Sequence, residues 1–115
     1  MSVQNLTSEA AGFLYTIFNQ ASTCLQHPTQ PLTQAEKATA FDLSIKFDQA
    51  AGAARFNEAA ELDKIIPDLV TAVQGFATPG LQHIAEDIKL RQQLMYHHAS
   101  PQLKADLGTY SKGIF

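Results

Sequence analysis

Apolar residues recur along this chain at intervals of three and four, and no stretch alternates apolar with polar residues, so the pattern predicts helices and no strands. Ala10, Leu14, Ile17, Phe18, Ala21, Cys24 and Leu25 form the first stripe. With Thr7 as N-cap, they predict a helix from about Ser8 to Gln26. "HPTQP" at 27 to 31 ends it, because Pro28 and Pro31 lack backbone donors and push the residues before them out of the helical region. "TQAE" at 33 to 36 has the form of a capping box, in which the Thr33 hydroxyl accepts from the Glu36 amide and the Glu36 carboxylate reaches back. It opens a second helix expected to reach about Ala51, with Gly52 as its stop, or else to continue, straight or gently bent, through the Ala-rich flanks of that glycine.

A third helix is expected from about Phe56. Pro67 falls inside it, yet Ala59, Leu62, Ile65, Ile66, Leu69, Val73 and Phe76 keep one phase across the proline, so the helix is expected to bend there and continue to about Gly75. Thr78 as N-cap and Pro79 at the first helical position start a fourth helix, with Leu81, Ile84, Ala85, Ile88 and Met95 on one face. Ser100 and Pro101 repeat the device for a short fifth, anchored by Leu103 and Leu107 and stopped by Gly108. The "TYSKGIF" tail has no period. The fold expected is all-α: an antiparallel helical bundle of four main helices plus a short C-terminal helix, in a single domain spanning residues 1–115.

The second helix carries two apolar stripes. Ala38, Phe41, Ile45 and Gly52 lie on one side, and Ala40, Leu43, Phe47, Ala50, Ala51 and Ala54 lie nearly opposite. A helix in a simple bundle buries one stripe, so the other needs a cover from the last helix and tail or from another chain. With Phe41 and Ile45 assigned to the core, the face left to form an interface is Leu43, Phe47, Ala50, Ala51 and Ala54, and a two-fold homodimer through it is expected.

Within this helix and the next, "AFDLSIKFDQAAGAARFNEAAEL" at 40 to 62 resembles the helix–turn–helix core of a tetratricopeptide repeat or of a microtubule-interacting-and-transport domain. Leu43 matches the first-helix anchor, Phe56 the aromatic that opens the second helix, and Glu58 and Ala59 the acid–alanine pair after it. Those families place Gly two residues before the aromatic, where this chain has Ala54 and carries its glycine at Gly52. No copy of the segment recurs at a spacing of about 34 residues, so the resemblance implies one helical hairpin and not an array. It carries over no ligand-binding residues.

Charge narrows the partners. The net charge is −3, and the eight Lys and Arg residues are scattered, which argues against a nucleic acid, since phosphate binding draws its affinity from clustered cations. No apolar run approaches the roughly 20 residues of a membrane span, and the single cysteine forms no internal disulfide, so a cytoplasmic protein with no membrane partner is expected. The polar face of the first helix, Thr16, Asn19, Gln20, Ser22, Thr23 and Gln26, bears no charge at all. That is a hydrated surface by default, or a docking face that loses water cheaply.

No catalytic signature emerges. His83, Asp87 and His97 share one side of the fourth helix, with Leu90 and Leu94 among them, but a di-metal bundle would need Glu-x-x-His pairs on two facing helices. Glu58 and Glu61 have no such histidine. "HIAEDIK" at 83 to 89 surrounds its histidine with acids that would repel a phosphoryl group. Cys24, in phase with Ile17 and Ala21, is expected to be a buried structural thiol. The expectation is therefore no enzyme, no cofactor and no metal. In its place stands a protein-interaction or assembly module, such as an adaptor, regulatory subunit or small inhibitor, binding a protein partner or itself. The alternative is a small-molecule or metal-binding bundle using a cleft beside the fourth helix.

Overall fold

The computed structural model describes residues 6–111, and every regular element among them is helical. The order is α1 (Ser8–Gln26), α2 (Gln34–Arg55), α3 (Ala59–Gln74), α4 (Pro79–His98), α5 (Pro101–Leu107) and a 3-10 turn, η1 (Gly108–Ser111). The all-α bundle of four main helices and a short fifth is thus as the apolar spacing predicts. The apolar tail at 112–115 lies outside the described residues.

α1 is the central helix. It buries ten of its nineteen residues, whereas α3 buries four of sixteen and α4 four of twenty. α2 packs along α1, α3 packs on α2, and α4 packs on the other flank of α1. Phe18 and Phe47 meet where α1 and α2 cross, their ring centroids 6.2 Å apart and tilted by 46°, an arrangement that avoids face-on repulsion. One turn further along that contact the Ser22 hydroxyl donates to the Ser44 carbonyl, and the Ser44 hydroxyl donates to the Phe41 carbonyl at 2.6 Å. Both serines are buried. Their small size brings the helices close, and their own bonds satisfy the polar groups that closeness desolvates.

The caps of α1 and α2 are in place: Thr7 accepts from Ala10, and the Thr33–Glu36 box closes in both directions. α3 runs unbroken through Pro67 to Gln74. The α2–α3 connection departs from expectation. Gly52 does not stop α2, which continues to Arg55, and Phe56 does not open α3. The stop is Asn57, at φ 55°. Its amide donates to the Ala54 carbonyl at 3.1 Å, and the Glu58 amide donates to the Ala53 carbonyl at 2.7 Å. This pair of bonds is the Schellman arrangement with Asn in place of the usual Gly at the left-handed position. Phe56, passed over by both helices, is exposed. A helical hairpin is present, but its turn lies five residues beyond the glycine.

Asn57 has a second task. Its side chain accepts from the Leu6 amide at 3.0 Å and donates to the Leu6 carbonyl at 2.7 Å, so the turn also clasps the chain entering α1. Asn57→Gly keeps the backbone geometry and loses about 1–2 kcal/mol from the two bonds. Asn57→Ala adds left-handed strain and loses about 2–4 kcal/mol in all. The expected order of thermal stability is wild type, then Asn57→Gly, then Asn57→Ala; an alanine variant as stable as the glycine variant would show that the clasp, which both lose, and not the left-handed turn geometry carries the effect.

Candidate functional site

The bundle is not closed. α3 and α4 follow one another in sequence but hardly touch, because α3 is held by α2 and α4 by α1. Between them runs a groove of about 590 Å³. Its floor is the Phe18–Phe47 pair. Ile66, Leu69, Val70 and Val73 of α3 form one wall and Ala85 and Ile88 of α4 the other, with Phe76 across one end. Gln74, Gln82, Glu86, Lys89 and Gln92 supply the polar lining. The walls run from Ile66 to Gln74 and from Gln82 to Gln92, about 12–15 Å or between two and three helical turns.

The α4 wall is positioned by Glu36. While one carboxylate oxygen accepts from the Thr33 amide at 3.0 Å, the other accepts from the Thr78 hydroxyl and from the Gly80 amide at 3.1 Å. One side chain therefore caps α2 from within and occupies the N-terminal end of α4, where a helix carries unsatisfied amides and partial positive charge. Thr78 was expected to cap α4 itself; it makes no such bond and spends its hydroxyl on Glu36. The Thr78 hydroxyl first, then the Thr33 amide, hold the Glu36 carboxyl below its ordinary value. A Cβ on Gly80 would lie 2.7 Å from Glu36 Oε2 and 2.7 Å from Leu32 Cδ2, so glycine leaves the carboxylate room to reach the Gly80 amide.

The five residues expected at an interface, Leu43, Phe47, Ala50, Ala51 and Ala54, are core residues of the single chain, none more than 5% exposed. The two faces of α2 are the reverse of the assignment. Phe41 and Ile45, 57% and 43% exposed, are the residues left outside. The physical reason is the neighbours: α1 and α3 pack on the Ala-rich stripe, whose small side chains allow both to approach.

On the opposite flank of α4 from the groove, the His83, Asp87 and His97 set does not assemble. His83 Nε2 lies 3.4 Å from the Thr29 hydroxyl, and Asp87 is engaged by Arg91 at 3.3 Å and by the Cys24 thiol at 3.5 Å. Among the described residues no three His, Cys, Asp or Glu side chains are grouped so as to hold a metal ion. Cys24 is buried, and burial first, then Asp87, push its thiol up to about 11. It stays protonated at neutral pH and acts as a donor between α1 and α4, not as a nucleophile. Leu90 and Leu94 are exposed on this flank. The uncharged face of α1 is divided: Thr16, Asn19, Thr23 and Gln26 are exposed, but Ser22 is buried against α2. The Thr16 and Thr23 hydroxyls donate to the carbonyls of Gly12 and Asn19, which leaves them fewer demands on water.

Tyr110, in the segment where no period was found, is buried, and its hydroxyl hydrogen-bonds Asp63 of α3; burial first, then Asp63, push it up to about 12. No described helix is long and apolar enough to cross a membrane. Comparison with protein-family models, curated proteins and solved structures finds no match for this chain.

Two measurements test the Glu36 anchor. Gly80→Ala pushes the carboxylate and Leu32 aside and lowers stability, read from chemical denaturation. A depressed carboxyl pKa contributes stability that is complete above the unfolded value, about 4.3, and is lost as pH falls through the lower folded value. Glu36→Gln is therefore less stable than wild type near neutrality, and the gap closes as the pH is lowered from about 5 toward 2. A gap that stays constant with pH would remove the anchor from the account.

Proposed function

We propose that the protein is a protein-interaction module, an adaptor, regulatory subunit or small inhibitor, that receives an amphipathic helix of a partner in the seam between α3 and α4. The observation that carries this reading is the open seam itself, an apolar trough over Phe18 and Phe47 in a place where consecutive helices of a closed bundle would meet. A trough between two and three turns long suits a helix presenting apolar anchors at i, i+3 or i+4, and i+7, which span about 10 Å. Glu86 and Lys89 stand on the α4 side with no ion-pair partner among the described residues, so they are free to fix the direction of the incoming helix.

A second reading rests on the size of the trough, which lies in the range of roughly 300–1,000 Å³ typical of small-molecule sites. On that reading a compact apolar ligand fills it.

Display selection of amphipathic helical peptides of about 15 residues, followed by calorimetry, separates the two. Selected peptides are expected to bind wild type and to lose about tenfold or more in affinity to Val70→Asp, a half-buried wall position, measured at a temperature where circular dichroism shows the variant folded. Peptides indifferent to Val70→Asp would defeat the helix reading. Binding of a long-chain fatty acid that is lost in Val70→Asp, with no peptide selected, would replace it with the second.

A further inference from the structure

α2 carries two seams of the same design. Ala40, Leu43, Phe47, Ala50 and Ala54 follow at alternating intervals of three and four, the spacing of coiled-coil contacts, and are filled by α1 and α3. Ala38, Phe41, Ile45, Asp48 and Gly52 repeat that spacing two residues out of phase, on the far side of the helix. Four of these are exposed and Gly52 is partly so, and no described element covers Phe41 or Ile45.

We propose that this outer seam pairs antiparallel with the same seam of a second copy of the chain, about a two-fold axis that crosses the outer seam midway between Phe41 and Ile45. In that register Phe41 of each copy lies against Ile45 of the other, so the two largest exposed side chains of the seam cover each other twice. Ala38 comes level with Asp48 of the second copy. Lys37, one residue away and displaced by only about 1.5 Å along the axis, reaches that carboxylate. The pair forms twice by symmetry. Parallel pairing would set Lys37 against Lys37 and Asp48 against Asp48, so charge selects the antiparallel arrangement. Neither Lys37 nor Asp48 has an ion-pair partner among the described residues.

Ala38 and Gly52 toward the two ends let the backbones approach; a Cβ on Gly52 would meet nothing within 4 Å in the single chain. One helix per copy is a small contact by the standard of obligate dimers, so association is weak and depends on concentration. The proposal is independent of the α3–α4 groove, whose floor residue Phe47 belongs to the inner seam.

Sedimentation equilibrium of the full chain from micromolar to about millimolar concentration is the test. Wild type is expected to dimerise, and Ile45→Glu to weaken association about tenfold or more with unchanged melting. Lys37→Glu and Asp48→Lys each weaken it alone, whereas an equal mixture of the two variants, or the double variant, recovers it. A wild type that stays monomeric across the range leaves the seam to a different protein and overturns the proposal. So does a dimer indifferent to Ile45→Glu, or a charge swap that brings no recovery.

Discussion

The Glu36 carboxylate closes the amide of one helix's N-cap and occupies the start of another, and the arrangement of the remaining helices follows from that double use. With α2 antiparallel to α1, the N-terminus of α2 lies beside the end of α1; tying Gly80 and Thr78 to Glu36 brings the start of α4 to the same place. α4 must then descend along α1, where Cys24 meets Asp87, and cannot swing across to α3. The groove is a consequence of this anchoring. A capping acid usually serves its own helix, and here its second oxygen sets the position of another.

α1 makes the arrangement affordable in surface terms. It is wrapped by α2, α4 and α5 and buries ten residues, α2 buries nine, and α3 and α4 need bury only four each. Helices that bury so little can leave an apolar trough between them without losing their hold on the bundle. Phe18 and Phe47 illustrate the point: they are packed on each other and still form the floor that a ligand would touch.

Much of this was legible in the residues. Helix starts were written in side chains that act locally, Thr7, Thr33 with Glu36, Pro79, and Ser100 with Pro101, and local chemistry is what a sequence displays. The end of α2 was not. Gly52 invited the assignment, but a glycine is compatible with a helix at modest cost, whereas the stop was an asparagine whose left-handed conformation is supported by Leu6, 51 residues away. The second role of Glu36 is hidden for the same reason, since Thr78 and Gly80 lie 42 and 44 residues away. The groove left only a faint trace, in that Val70 and Val73 widen the apolar stripe of α3 beyond what one neighbour would cover.

The reversal of the two faces of α2 has a different origin. Periodicity shows that a helix has two apolar sides and says nothing about which one the chain uses. Side-chain size held the discriminating information: four alanines among Ala40, Ala50, Ala51 and Ala54 permit close approach by two helices at once, whereas Phe41 and Ile45 stand among Lys37, Asp42 and Lys46, a setting expensive to desolvate within a core. Flanking charge argues for a face that remains wet or that meets a complementary surface, and on α2 the proposed surface is another copy of itself. An inner seam committed to the fold and an outer seam open to a partner, on one helix, would let self-association proceed without altering the trough on the other side of the bundle.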